Sequence, residues 1–289
     1  MDMNILSRLK NFSIYHISKF KSTLISFLSG DFKKQNAIIT SWGRKNFGDL
    51  MTPILIKHLG FTPINTWYKF SEVVLVGSVL DALDRNYSGI IFGSGFLKEV
   101  NGKPFPKANV IAVRGKLTSN LMNLPSKTLL GDPGLLFSKI FKPSIEKKYK
   151  LGIIPHYSDL DKTEFKRILL KNNDEITLIN VKESVLDVFY KISQCENIIS
   201  SSLHGLVIAD SLKIPNRWCF VDGSKHNDRF KFDDYYSAFC LRRDPFIINN
   251  NITLKNIYDC LIVPPKEVLQ VTDVLYKRFI NLSNDFNSL

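Results

Sequence analysis

Short apolar runs alternate along this chain with stretches whose apolar residues recur every third or fourth position. The runs read as strands and the periodic stretches as helices. Ala37–Trp42, Val73–Val79, Gly89–Phe92 and Val110–Arg114 are the strands of a first series, with helices over Asp49–Leu59 and Lys116–Met122. A Lys/Pro-rich stretch, Lys139–Lys150, interrupts the pattern. A second series follows, with strands at Leu151–His156, Ile176–Val181, Asn197–Ser201 and Trp218–Val221. Its helices are Glu164–Lys171, Glu183–Gln194, Leu203–Leu212 and a long closing element, Lys266–Phe286, placed to brace both halves. Two consecutive strand–helix series predict an α/β protein of two doubly wound, Rossmann-like domains, over residues 31–145 and 146–289. Ligands of such sheets bind beyond the carboxyl ends of the strands, so the cleft between the domains is the expected active site.

Residues 1–30 stand apart. Ile5, Leu9, Phe12, Phe20, Leu24 and Phe27 share one helical face, with His16 filling the gap and Arg8, Lys10, Lys19 and Lys21 on the flanks. A basic amphipathic helix of this kind suits a membrane surface or a groove on the protein itself, and periodicity does not separate the two. Charges interrupt its apolar stretch and no small-residue cleavage site follows, which argues against a signal peptide.

Composition narrows the partners. The chain has 289 residues, long enough for two domains, and its 39 basic against 27 acidic residues give a net charge of +12. Such an excess favours anionic ligands. No RNP-type strand, zinc-finger spacing or Arg-rich run points to nucleic acid. No apolar run reaches the length of a membrane-spanning helix. The cysteines Cys195, Cys219, Cys240 and Cys260 form no CxxC pair, so a reducing, cytoplasmic setting is expected, without a disulfide framework.

Five strand-end segments carry candidate chemistry. The strongest is Ser200-Ser201-Ser202-Leu203-His204-Gly205, where an apolar strand meets a helix. Helix N-termini offer unpaired N–H groups and partial positive charge. Hydroxyls from Ser201 and Ser202, with no side chain at Gly205, make this a cradle for phosphate or carboxylate. The same field favours the neutral form of His204, poised to exchange a proton. The second segment runs from Trp42 to Asp49 and projects Arg44, Lys45, Asn46 and Asp49 at the end of the first strand. Asp49 is either the N-cap of the next helix or, if Thr52 caps with Pro53 following, a residue free for other work. Gly93-Ser94-Gly95 suggests close backbone approach to a ligand or a tight turn. Arg114 offers a forked cation at a strand end. His156 and Tyr157 close the first strand of the second series. No metal-ligand spacing is present.

Taken together the segments Trp42–Asp49, Gly93–Leu97, Val113–Leu117, Gly131–Leu135, Ile154–Tyr157 and Ser200–Gly205, in this order, resemble the polysaccharide pyruvyl transferase family. That resemblance implies an architecture like that of GT-B glycosyltransferases. It implies phosphoenolpyruvate as donor, no further cofactor, and a cyclic pyruvate ketal built on a hexose of a bacterial surface polysaccharide such as a capsule, exopolysaccharide or O-antigen. The acceptor is then a sugar, with a lipid-linked oligosaccharide as one form, met at the inner face of the cell membrane. The family's strand-end arginine falls on Arg114, its loop aspartate on Asp49 and its histidine on His204. Where many members carry Arg-Leu-His-Gly, this chain has Ser202 in place of the arginine, and Arg44, Lys45 or Arg243 are the candidates to replace its charge.

The expected roles are therefore His204 and Asp49 in catalysis, with Arg114, Ser201, Ser202, Gly205, Arg44 and Lys45 on the donor. Two rival readings share the architecture: a glycosyltransferase using a nucleotide sugar, and a carbohydrate-binding scaffold without catalysis. Retention of His204, Asp49 and Arg114 together favours the enzyme.

Overall fold

The computed structural model describes residues 36–43, 47–170, 174–222 and 229–286, together with Leu24 and Leu28. Those two leucines are helical and exposed; the rest of the expected amphipathic N-terminal element lies outside the described residues.

The chain forms two sheets, each entirely parallel. The first contains β1 (Ala37–Thr40), β2 (Thr62–Asn65), β3 (Val73–Val74), β4 (Ile90–Phe92), β5 (Asn109–Val113) and β6 (Leu129–Leu130), in the order β2-β1-β3-β4-β5-β6. The second contains β7 (Tyr149–Ile154), β8 (Ile176–Leu178), β9 (Cys195–Ser200), β10 (Asn216–Val221) and β11 (Phe246–Ile248), in the order β11-β10-β9-β7-β8. Parallel strands covered on both faces read as continuous apolar runs. Ile90–Phe92 and Leu151–Ile154 do so, and every residue in both is buried.

The helices connect and cover these strands. They are α1 (Met51–His58), α2 (Lys116–Leu121), α3 (Phe137–Ile140), α4 (Thr163–Leu170), α5 (Val185–Ser193), α6 (Leu203–Ser211), α7 (Phe230–Ser237), α8 (Leu254–Asp259), α9 (Lys266–Ile280) and α10 (Leu282–Phe286). The alternation expected from the sequence is present, with local departures that have physical causes. The expected strand Val73–Val79 stops at Val74. Val76 donates its N–H to Thr52 Oγ1 at 3.2 Å, outside the sheet, and Gly77 turns the chain with a φ of +109°. β2 carries Pro63, which speaks against a central strand, but it sits at the sheet edge where the missing donor is tolerated. The expected single closing helix is two. α9 ends at Asn281, whose side-chain amide donates to Lys277 O at 2.9 Å, and α10 restarts at Leu282.

A single hydrophobic cluster runs through both sheets. It takes Ile38 and Phe92 from the first sheet with Met51 and Leu55 of α1, Ile154 and Ile198 from the second with Ile208 of α6, and Leu275, Phe279, Leu282 and Phe286 from the closing helices. Phe279 packs on Phe92 with ring centroids 6.0 Å apart, and Phe286 meets Phe61 edge-on at 5.2 Å. The last helices therefore cross back onto the first sheet.

No helix among the described residues is long and apolar enough to cross a membrane. All four cysteines are free thiols; Cys195 and Cys219 are buried.

Candidate active site

An open cavity of about 190 Å³ collects the strand ends of both sheets. Its lining comes from the segment after β1 (Phe47, Asp49), after β3 (Ser78), after β4 (Leu97), after β7 (His156, Tyr157), after β8 (Val181) and after β9 (Ser202, Leu203, His204), with Lys231 from α7. Among the described residues no group of three or more His, Cys, Asp or Glu side chains could hold a metal ion.

His204 lies in the first turn of α6. The close approach of Gly48 fixes its place: a Cβ at Gly48 would collide with the imidazole, Nδ1 first. Burial is the main force lowering its pKa below the ordinary histidine value; the Asp132 carboxylate opposes this, and the Arg114 and Lys231 cations reinforce it. The balance favours the neutral ring.

Asp49 is not a helix cap. α1 begins at Met51 after Leu50, which makes no side-chain cap, and Thr52 does not cap either, since its hydroxyl serves Val76. The Asp49 carboxylate sits instead in a notch between two glycines. A Cβ on Gly43 would overlap its Oδ2, and one on Gly77 would lie 3.4 Å from Oδ1.

The three serines divide the work. Ser202 is the N-cap residue of α6, yet its side chain caps nothing and lines the cavity. Ser201 is buried, accepts the His156 N–H at 2.8 Å, and ties the end of β9 to the end of β7. Ser200 shapes the turn by accepting the Ser202 N–H at 3.0 Å. Gly205 is a packing position, where a Cβ would meet Ser200 Oγ at 2.5 Å and Ile154 at 3.0 Å.

Arg114 departs most from expectation. Its guanidinium is fully buried and is not part of the cavity wall. Nε donates to Asp234 Oδ2 at 2.9 Å, Nη1 to Ser78 Oγ at 2.6 Å and Nη2 to Phe96 O at 2.5 Å. Asp234 also accepts from the N–H and hydroxyl of Thr118, at 2.8 and 2.7 Å. Arg114 thus pins α7 to the first sheet and holds Ser78 where it lines the cavity. Gly93, Ser94 and Gly95 serve the same packing. Gly95 makes room for the guanidinium, Gly93 stacks on Pro133 with a φ of +83°, and the Ser94 hydroxyl donates to Leu75 O at 2.7 Å.

His156 and Tyr157 do line the cavity; their rings lie 4.2 Å apart and His156 Nδ1 pairs with Ser158 Oγ at 2.7 Å. Arg44, Lys45 and Asn46 lie outside the described residues. Arg243 does not replace the absent arginine at the cavity. It is buried over the Tyr236 ring, 4.9 Å from its centroid, because the Asp210 carboxylate draws it there. Among the described residues the cation on the cavity wall is Lys231, which sequence reasoning missed with its helix. Phe230–Ser237 is rich in aromatics that favour strands, and it is helical because Phe232 stacks on Trp218 at 4.3 Å. Ser78 and Asp132 were also missed. Asp132 belongs to a matched stretch, but an aspartate before Pro-Gly reads as a turn residue, which its Oδ1 is, accepting Gly134 N–H at 2.8 Å.

Two parallel sheets whose strand ends share a cavity holding a histidine, a carboxylate and a lysine define an α/β protein of Rossmann-like architecture. The comparisons narrow this. The profile of the polysaccharide pyruvyl transferase family matches residues 10–222, and the chain belongs to that family. Membership implies a transferase of polysaccharide biosynthesis. The uncharacterized protein L143 of Acanthamoeba polyphaga mimivirus is 32% identical over 240 residues, covering 74% of this chain and 81% of that one. The succinoglycan biosynthesis protein ExoV of Rhizobium meliloti (strain 1021) is 28% identical over 202 residues, covering 66% of this chain and 60% of that one. No solved structure matches the chain.

Proposed function

We propose that the protein moves the pyruvyl group of phosphoenolpyruvate onto two hydroxyls of a hexose in a surface-polysaccharide precursor, forming a cyclic ketal in the cavity between the two sheets. The observation that carries this reading is a neutral, buried histidine opening onto the same cavity as a carboxylate, in a chain of this family.

The chemistry follows from the resting protonation. A neutral His204 enters as a base. It takes the proton of the first sugar hydroxyl, and the imidazolium so formed passes that proton to the methylene carbon, which becomes the methyl group; C2 turns electrophilic as this happens and the sugar oxygen bonds to it. Loss of phosphate leaves C2 electron-poor, the second hydroxyl attacks, and its proton passes to Asp49 or to the departing phosphate. The donor's charge is met by Lys231, the Ser78 and Ser202 hydroxyls and the N-terminal turn of α6. An anionic donor also counters the two cations that depress the His204 pKa, so donor binding readies the ring to hold a proton. Asp49 lines the same cavity and orients or deprotonates the sugar.

The test is direct. Purified protein is given phosphoenolpyruvate and hexose acceptors, free and lipid-linked, while phosphorus NMR follows phosphate and proton NMR follows the ketal methyl. Acceptor-dependent release of phosphate with appearance of the methyl signal is expected. Phosphoenolpyruvate at about 100 times its Kd should add about 2.7 kcal/mol of stability. Stabilisation by nucleotide sugars instead, with release of a nucleoside diphosphate, would replace this reading by glycosyl transfer.

A further inference from the structure

Asp132 has an oxygen for which the proposed reaction has no use. The residue is fully buried in the turn between β6 and α3. While Oδ1 caps that turn, Oδ2 is sealed from solvent without a hydrogen-bond partner. The polar atom that faces it is His204 Nε2, 3.7 Å away, itself sealed and without a partner. Buried polar atoms are nearly always satisfied, and two orphans that face one another form a pair held slightly open. At 3.7 Å the contact is too long for a hydrogen bond, and catalytic hydrogen bonds are often this loose before substrate arrives. The other ring nitrogen, Nδ1, lies against Gly48, where the absence of a side chain leaves room for it.

Resting on the proposed reaction, we propose that Asp132 is the positioning residue of His204: it holds the proton on Nε2, so that Nδ1 offers its lone pair to the cavity, and it balances the imidazolium once Nδ1 has taken the sugar's proton. The proton budget closes with Nε2–H unchanged throughout. The hydroxyl proton arrives at Nδ1 and leaves from Nδ1 to the methylene carbon. The surrounding charges fit this role. Arg114 at the end of β5 and Lys231 on α7 both oppose the imidazolium, and Asp132 is the group that favours it. The nearby Tyr235 hydroxyl does not compete for Oδ2, because it donates to Asp210 at 2.9 Å.

The test reads the tautomer directly. Two-bond proton–nitrogen correlation spectra of the labelled full chain, with the His204 signal assigned by its loss in His204→Gln, should show Nε2–H at neutral pH. Asp132→Asn keeps an oxygen for the Gly134 cap but can turn an N–H donor toward Nε2, so the signal should switch to Nδ1–H. Turnover should fall about 100-fold or more, as expected for a ring held in the wrong tautomer, with KM for phosphoenolpyruvate changed by less than about threefold. An Nδ1–H ring in the wild-type protein, or an Asp132→Asn protein with unaltered turnover, overturns the proposal. If Asp132→Asn fails to fold, the wild-type tautomer alone decides. Should the tautomer be as stated while His204→Gln still transfers pyruvate, the pair stands and the role given to His204 in the reaction falls.

Discussion

His204 is buried, neutral and pressed against Gly48, and each property yields a separate measurement. His204→Ala should lower transfer by about 100-fold or more, the usual loss for a general acid–base group, while the far-ultraviolet circular dichroism spectrum stays that of the wild type. Residual turnover above about a tenth of wild type would remove the histidine from the chemistry. The depressed pKa also affects stability. As pH falls through about 6.5 the unfolded chain gains a proton that the folded ring resists. The unfolded state then binds more protons, so this contribution to stability is whole above about pH 6.5 and is lost as pH falls toward the folded-state pKa. Urea midpoints for wild type and His204→Gln should therefore converge as pH falls below about 6.5; a constant gap would show an ordinary, exposed histidine. Arg114 gives a third outcome. Because its charge is buried against Asp234, Arg114→Ala leaves an uncompensated carboxylate and should cost about 3–5 kcal/mol in chemical denaturation. A loss of donor affinity without loss of stability would return Arg114 to a direct donor-binding role.

At the scale of elements, the site depends on loops leaving strand ends and on the first turn of α6. That turn was legible in the sequence because an apolar strand, serines, a histidine and a glycine occur together there. α7 was not, because its residues favour a strand and only packing on Trp218 and the Arg114–Asp234 pair holds it helical and brings Lys231 to the cavity. Residues 1–30 pose a different question. Six basic against two acidic residues through Lys34 flank an apolar face, and each basic residue near an anionic membrane surface contributes about 1 kcal/mol. The intact chain is expected to sediment with anionic liposomes at low salt, and a chain lacking residues 1–30 to stay in solution while still acting on a short soluble acceptor. Insoluble truncated protein, with no liposome binding by the intact chain, would assign the segment to a groove on the protein itself.

The whole molecule is joined by its core. One apolar cluster spans both sheets, and Phe279 of α9 lies at the junction, fully buried against Phe92 and stacked near His58. Removing a ring of this kind typically costs about 3–5 kcal/mol. Phe279→Ala is expected to lower stability by that amount and to keep a single unfolding transition, because one apolar cluster joins both sheets. Two separated transitions in a calorimetric scan would instead show that the sheets fold independently.

The sequence by itself determined the class of fold, the order of most strands and helices, and which strand-end turns carry chemistry. Those signals are local. Parallel strands must be apolar on both faces, helices must repeat their apolar positions, and a strand–helix turn with serine, histidine and glycine announces itself within a few residues. Tertiary structure decided which of those polar residues meet. Asp49, Ser202 and His204 share one cavity, whereas Arg114 and the Gly93–Gly95 turn lie beneath the surface as support. It also supplied Ser78, Lys231 and Asp132, whose neighbours in space are far away in sequence. The physical reason is that propensity and periodicity act over a few residues. The environment of a buried charge, by contrast, depends on whichever distant segment the packed core carries to its side.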